Sequence, residues 1–310
     1  MALITSSLDA LITRDPCLAE VMYRGAAEDT VYQSCVDLKD SSISKYPDRI
    51  VTHNVAGLGP MYSKTETGTI TKDTPGAADT KETTYSMFAI GVEFSEKFSQ
   101  DVMYGVQQEI IEDVGRSYNL TRNIQTGQLY DNAFNTTYYT SGDGKAICAT
   151  DHTAYMGGAD RKNAPTVAQQ LSYTGVQTML TLMRRQTDDR GNPRPALMAG
   201  QSIQVLIPPE MEFNADKIFD TGSAYDPDSN KNAINVLKKF RWQVVINPYF
   251  TSTANWFMTD PREKGIWLVD KQGLTRDMYH VDETKGAVWD ARGEWGYHVK
   301  TWEKIYGSNG

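Results

Sequence analysis

A polar stretch from Ser63 to Thr84 limits what this chain can fold into more than any other feature. Its only large apolar residue is Ile70, and threonine, glycine, lysine and acidic residues make up most of the rest. An isolated hairpin of this kind would bury almost nothing and would be marginally stable in water. The stretch is therefore either a disordered surface loop or an arm that lies on another molecule. Its high threonine content favours paired strands, and Pro75-Gly76 is typical of the turn between them.

The pattern changes abruptly after this stretch. Apolar residues alternate with smaller or polar ones from Phe88 to Phe94, which predicts a strand. From Ser95 the apolar residues recur at helical spacing without a proline, so we expect one long helix within residues 94–135. At ~1.5 Å per residue such a helix would span ~45 Å, which is far longer than a typical helix of a globular protein. The residues predicted on its buried face are Phe98, Val102, Val106, Ile110, Val114, Leu120 and Ile124, and those on its polar face are Asp101, Gln108, Glu112, Asn119 and Arg122.

Helical and strand patterns mix in the rest of the chain. They do not alternate regularly as in a doubly wound sheet, so the sequence predicts an α+β fold. The expected helices cover a segment between Ser7 and Asp15 and residues 18–27, 169–185, 210–219 and 233–240. The expected strands cover residues 145–149, 203–207, 243–246, 256–258 and 266–269, with a last long pair within 287–306.

Composition excludes several classes of protein. The chain has 310 residues and a formal net charge of −8, which argues against a protein that coats nucleic acid through a basic surface. It has no apolar run of about 18 residues that could cross a membrane, and the residues after Met1 lack the pattern of a signal peptide. We therefore expect cytoplasmic synthesis and reduced thiols at Cys17, Cys35 and Cys148.

The segment from Gly142 to His152 carries the strongest candidate chemistry. Gly142-Asp-Gly-Lys145 lacks the glycine spacing and the Ser or Thr of a phosphate-binding loop. Cys148 and His152 are four residues apart, which suits either a nucleophile pair or two metal ligands, but the other histidines are scattered. A packing or surface role is the alternative for both residues. Asp151-His152 leaves a hydrolase open as a further possibility.

Other polar groups fit structural roles. The pairs Asp188/Asp189 and Asp226/Asp228 lie among turn residues and lack the pattern of a calcium loop. The basic residues at 238–241 fit a solvated helix face, and the tryptophans near the C-terminus fit sheet packing better than a ligand groove. We therefore expect no enzymatic activity, no metal and no cofactor.

The order of these parts resembles a tailed-bacteriophage major capsid protein with the Hong Kong 97-type fold, which encapsulin shells share. Such proteins combine an N-terminal arm, an extended loop, a long helix, a mixed α+β domain and late strands. Short motifs in the second half also resemble the Mu-type major head subunits. They are Asp143–Ala146, His152, Leu171 opening a helix with Met183 and Gln186, Gly191–Pro193, Val205–Pro209 and Asn255–Met258.

The resemblance implies a division of the chain and a set of contacts between subunits. Residues 1–56 would be the N-terminal arm and 57–93 the extended loop, residues 94–165 the spine helix and peripheral domain, 166–280 the axial domain, and 281–310 the closing strands of the peripheral domain. The loop residues implied to contact a neighbouring subunit are Tyr62, Lys64, Glu66, Ile70, Lys72, Asp73, Asp79, Lys81, Glu82 and Tyr85.

The resemblance also implies function and partners. The chain would self-assemble into hexamers and pentamers of an icosahedral shell around double-stranded DNA, without a membrane, first in the host cytoplasm and finally in the virion. A portal, a separate scaffolding protein and a decoration protein are the implied partners. Some relatives weld their subunits through a loop lysine, but the residues around Lys64, Lys72 and Lys81 give no reason to expect cross-links. An encapsulin-like compartment, a hydrolase and an adhesive phage protein remain the alternatives.

Overall fold

A computed structural model of the chain describes residues 17–95, 104–194, 202–220, 235–281 and 286–310. Its helices are α1 (17–25), α2 (Val31–Cys35), α3 (Tyr104–Asp131), α4 (Tyr173–Arg184) and α5 (Glu212–Phe219). Its strands are β1 (Asp37–Asp40), β2 (Arg49–Ala56), β3 (Gly76–Thr84), β4 (Ser86–Phe94), β5 (Ser202–Ile207), β6 (Arg241–Ile246), β7 (Trp256–Thr259), β8 (Ile266–Val281), β9 (Gly286–Val299) and β10 (Ile305–Ser308). Single 3₁₀ turns occur at Ser41–Ile43, Pro209–Met211, Val236–Lys239 and Trp302–Lys304. The fold is α+β, as the sequence predicts.

The first sheet has the strand order β1-β8-β9-β4 and supports the long helix α3. Strands β8 and β9 form a long antiparallel pair, and β4 adds to the far side of β9. Leu129 and Tyr130 of α3 share a buried cluster with Leu268 and Trp295 of this sheet. The hydroxyl of Tyr297 on β9 donates to the Arg122 carbonyl of α3 at 2.8 Å. Burial of these aromatic residues holds helix and sheet together.

The second sheet has the order β10-β7-β5-β6 and carries α4 and α5. Helix α4 begins where the Ser172 side chain accepts a hydrogen bond from the Gly175 backbone N–H, and it buries Val176, Met179 and Met183, as predicted. Strand β5 is buried along nearly its whole length and ends before Pro208, which cannot donate to the ladder. This sheet therefore has its own core.

The buried face of α3 differs from the predicted one. Val106, Leu120 and Ile124 are exposed, whereas Asn119 and Arg122, predicted to face solvent, are buried. The Asn119 amide donates to two carbonyls of the segment between α1 and α2, and Arg122 pairs with an aspartate of β8. Distant polar partners therefore decide which face is buried, and apolar periodicity could not reveal them. Phe98 and Val102 lie outside the described residues; Ile110 is partly buried and Val114 is buried.

Three other local predictions are wrong. Pro75-Gly76 is not the tip of the arm, because Gly76 already pairs with Ala56 at the start of β3. Residues 145–149 form no strand; only one bridge, between Thr140 and Ala146, occurs there. The strands β8 and β9 are also longer than expected, and β9 pairs with β8 and β4 and not with β10. The domain limits within residues 1–310 stay predictions, and the expected helix near Ser7 lies outside the described residues.

Candidate assembly surface

Two antiparallel strands form the base of the arm, here called the arm base. Strand β2 pairs with β3 from Arg49↔Thr84 to Ala56↔Gly76. Residues 57–75 connect the two strands without regular structure, and the Gly68 backbone N–H closes a turn on the Thr65 carbonyl at 3.0 Å. We call residues 58–72 the tip. The polar stretch is thus an arm with a paired base and an irregular tip.

The arm base is attached to the body through His298 of β9. Its Nε2 lies 2.8 Å from Oγ1 of Thr52 on β2, and its Nδ1 lies 3.0 Å from Oγ1 of Thr83 on β3. The ring is fully buried. Burial, together with the nearby ammonium group of Lys81, lowers the pKa of His298 to about 4. A neutral imidazole therefore joins both strands of the arm base to the main sheet.

Other polar contacts attach the arm base at its sides. The Asn54 amide donates to Asp79 across the arm base at 3.1 Å and to the Lys300 carbonyl of the body at 3.2 Å. The Lys81 ammonium donates to Thr140 Oγ1 at 2.8 Å, and burial lowers the pKa of this lysine. The arm base therefore belongs to the subunit's own body.

The tip is exposed and carries large apolar side chains. Met61 has no protection from solvent at 101% relative exposure, and Tyr62 and Ile70 are exposed at 66% and 73%. Leu58 adds a fourth apolar side chain at the start of the tip. Exposed apolar side chains that come together mark interaction sites, and the tip carries four of them within residues 58–70.

The ten predicted contact residues fall into two groups. Tyr62, Lys64, Glu66, Ile70 and Lys72 are exposed on the tip. The other five contact residues of their own chain: Asp73 with Arg190, Asp79 with Asn54, Lys81 with Thr140, Glu82 with Arg49, and Tyr85 with the buried group of Ile50, Trp267 and Val269. Asp73 and Glu82 of the second group also keep exposed side chains, and contact of all ten residues with a neighbouring subunit stays a prediction.

The candidate chemistry around His152 is a buried structural network. His152 is fully buried and stacks on Trp302 with ring centroids 3.8 Å apart. Its Nδ1 lies 2.8 Å from Asp143 Oδ2, and its Nε2 lies 3.1 Å from Asn163 Oδ1. Burial alone would raise the pKa of Asp143, but hydrogen bonds from His152 and Ser141 outweigh it and leave that pKa well below its ordinary range. A substrate has no access to this imidazole.

Asp151 and Cys148, the other residues of the predicted nucleophile and hydrolase sites, are not part of the His152 network. Asp151 points to Lys145, with its Oδ2 2.6 Å from the ammonium nitrogen, and not to His152. Cys148 is buried, and burial raises the pKa of its thiol far above the ordinary value, so it is not a ready nucleophile. The parts of the chain that the structure describes contain no group of three or more His, Cys, Asp or Glu side chains that could hold a metal ion.

Sequence reasoning missed the residues that hold the arm. Arg190 and His298 lie more than a hundred positions from the arm residues that they contact, and neither belongs to a recognisable motif. Their roles arise only when the chain folds. The single useful signal was the threonine content of the arm, because Thr52 and Thr83 supply the hydroxyl groups that face His298.

A comparison with protein families identifies the chain. The profile of a family described as phage capsid protein matches residues 79–307, from β3 to β10. The chain belongs to the phage capsid protein family. The matched region covers most of both sheets, the long helix α3 and the contact of His298 with Thr83 of the arm base. No curated protein sequence matches the chain.

Solved capsid structures share the fold of this phage capsid protein at low sequence identity. The capsid of the cyanophage P-SCSP1u has a TM-score of 0.58 and 11% identity, over 90% of this chain and 87% of that chain. The capsid of the native GTA particle has a TM-score of 0.58 and 11% identity, over 90% and 89%. A virus-like particle from Pyrococcus furiosus has a TM-score of 0.53 and 11% identity, over 94% and 97%. The predicted Hong Kong 97-type fold is therefore confirmed.

Among the helices in the described ranges, none has both the length and the apolar character needed to cross a bilayer.

Proposed function

We propose that this phage capsid protein is the major subunit of the icosahedral head shell that encloses the double-stranded DNA of a tailed phage. The family membership and the whole-chain similarity to phage capsids support this function. The observation that carries the proposal is the arm, whose base is fixed to the body and whose tip exposes apolar side chains. A subunit of a closed shell needs such a segment to bind its neighbours.

The tip would dock on a second copy of the chain. Met61, Tyr62 and Ile70 supply apolar area, while Lys64 and Glu66 supply charges that can select a partner surface. Leaving these apolar groups in water is unfavourable, and burying them between subunits gains ~25 cal/mol per Å². Stable protein interfaces bury ~1,200–2,000 Å² in total, so the tip needs further contacts around it.

The exposed stripe on α3 is a candidate for such a contact. Val106, Leu120 and Ile124 are exposed at 42–44%, and they recur along one side of the helix. Met87 and Ile90 on β4 are also exposed, on opposite faces of that strand. We propose that neighbouring subunits cover part of the exposed stripe in the shell.

The wider assembly follows from the proposed shell. The subunits would form hexamers and pentamers, first in the host cytoplasm and finally in the virion. A portal, a separate scaffolding protein and a decoration protein would complete the particle. The net charge of −8 suits an inner wall that contacts packaged DNA without binding it tightly. No catalytic activity is part of the proposal.

Deleting residues 60–72 tests the role of the tip. The Gly59 N–H already lies 2.8 Å from the Asp73 side chain, so joining these residues leaves the arm base in place. We expect a soluble subunit with an unchanged thermal unfolding temperature that forms no closed particles in electron micrographs. A matched variant replaces residues 60–72 with a Gly/Ser segment of equal length and should fail in the same way. Particles of normal size from both variants would contradict the proposal.

An encapsulin-like compartment is the second candidate. A virus-like particle from Pyrococcus furiosus shares the fold, and the family match favours a phage capsid over a compartment. The contents of particles purified from the natural source distinguish the two functions. Packaged double-stranded DNA supports the phage shell, and a protein cargo without DNA supports the compartment.

A further inference from the structure

We propose that Arg190 is the positioning residue of the arm, which fixes the point and the direction in which the tip leaves the subunit. The inference rests on the proposed docking of the tip on a second copy. It adds a residue outside the arm that holds the tip in the direction needed for docking.

Arg190 contacts both ends of the tip at once. Its Nε donates to the Gly57 carbonyl, where the chain leaves the arm base, at 2.9 Å. Its Nη2 donates to the Thr74 carbonyl, where the chain returns, at 3.1 Å, and lies 3.1 Å from Asp73 Oδ1. One guanidinium group therefore joins the outgoing and the returning chain. The rigid fork of arginine donors suits this task, and the single ammonium group of lysine does not.

Asp73 closes the same junction from the arm side. Its Oδ2 accepts from the Gly59 backbone N–H at 2.8 Å, and its Oδ1 accepts from the Thr74 N–H at 2.9 Å. The hydrogen bond from Gly59, helped by the charge of Arg190, lowers the pKa of this carboxyl group. The carboxylate thus links the two chain ends that the guanidinium also links, and together they form a closed neck below the tip.

The support for Arg190 comes from outside the arm. Asp188 accepts from the Arg190 backbone N–H at 2.9 Å and from the Asn192 backbone N–H at 2.8 Å, which closes a tight turn. Gly191 in this turn has φ +86°, a conformation that favours glycine. The Gly158 N–H donates to the Asp189 carbonyl at 3.0 Å and ties the turn to the body. The position of the neck is therefore set by a hydrogen-bonded turn of the body.

The contacts of Arg190 and Asp73 control the direction of the tip more than the stability of the whole fold. The side chains of Arg190 and Asp73 are 21% and 31% exposed, and partly exposed charge pairs contribute little to the folding of a whole domain. Without the junction the arm base would remain paired and held by His298, while the tip would leave it in many directions. A shell repeats one contact many times, so a spread of directions prevents closure.

The test compares Arg190→Ala with Arg194→Ala. Arg194 lies near the same turn, but its side chain is 68% exposed and its charge partner is Glu303 of the body. Three measurements are made on each full-length subunit: the thermal unfolding temperature, the rate of trypsin cleavage after Lys64 and Lys72, and the yield of closed particles in electron micrographs.

For Arg190→Ala we expect a nearly unchanged unfolding temperature and a large loss of closed particles. Cleavage of the tip should be about fivefold faster, because a partly exposed charge pair shifts a local equilibrium by about that factor. Arg190→Lys should restore the charge but only part of the particle yield. Arg194→Ala should match the natural protein.

Normal particles and unchanged cleavage with Arg190→Ala would overturn the inference. The outcome is separable from the proposed function. If the deletion of residues 60–72 blocks assembly while Arg190→Ala assembles normally, docking of the tip stands and positioning by Arg190 is wrong. If the deletion variant assembles normally, the docking proposal itself is wrong.

Discussion

His298 joins the two strands of the arm base through threonine hydroxyls, and lowering the pH tests how much the folded state depends on its neutral ring. The pKa of this histidine is about 4 in the folded chain, compared with an ordinary value of 6.5. Between these values the unfolded chain binds a proton that the folded chain does not. The free energy of unfolding therefore falls as the pH falls from 6.5 to 4, and the loss is complete below 4.

The size of the effect follows from the shift. A pKa difference of about 2.5 corresponds to a loss of about 2 kcal/mol at pH 5 and about 3 kcal/mol at pH 4, with a limit slightly above that. Domains are stabilised by roughly 5–15 kcal/mol in total, so the loss is measurable. A protonated ring would need a negatively charged partner. The groups that face it are Thr52, Thr83, Trp267 and the ammonium group of Lys81, and none of these carries a negative charge.

The assay is urea unfolding of the unassembled subunit at several pH values between 7 and 4. Carboxylate groups also titrate in this range, so the natural protein is compared with His298→Gln, whose amide can bond the same hydroxyl groups but cannot be protonated. We expect the natural protein to lose about 2 kcal/mol more than the variant between pH 7 and pH 5. Equal losses in the two proteins would refute the reasoning. NMR titration of the four histidines should also show one with a pKa near 4.

Two further substitutions test the packing of α3 and α4. Asp270→Asn removes the charged partner of the buried Arg122 guanidinium, 2.5 Å away, and should lower the free energy of unfolding by roughly 2–3 kcal/mol. The control Asp151→Asn, in an exposed pair, should lower it by less than about 0.5 kcal/mol. Equal losses in urea unfolding would show that burial of the pair does not matter. Ser172→Ala removes the acceptor for the Gly175 N–H, 3.1 Å away, and should cost about 1 kcal/mol in the same assay, and no change would show that the cap is dispensable.

Residue patterns predicted the parts of this fold that depend on local chemistry. The strand ending at Phe94, the buried strand β5 and the helix α4 all carry strong periodic signals, and the structure contains each of them. The exposure of Ile70 could be predicted because its surroundings offer no apolar partner. Where neighbours in sequence decide the structure, the sequence is a sufficient guide.

The remaining features depend on partners that are distant in sequence. Asn119 and Arg122 are buried because carbonyl groups near α1 and Asp270 of β8 satisfy them, so polarity alone placed them on the wrong face of α3. Pro75 looked like the turn of the arm, but pairing with Ala56 makes Gly76 the first residue of the returning strand. A search that scores residues by type cannot find such contacts.

The anchored neck also changes the entropy of assembly. The pairing of β2 with β3 already closes the loop of the tip, and the contacts of Arg190 and Asp73 add a closure at the neck that restricts the freedom of the tip when the subunit folds, before any neighbour arrives. A tip without this closure would lose the same freedom at docking. A partly exposed charge pair contributes up to about 1 kcal/mol, so the closure lowers the subunit concentration needed for docking by no more than about fivefold. A small intramolecular junction thereby helps to set the threshold concentration above which shells form.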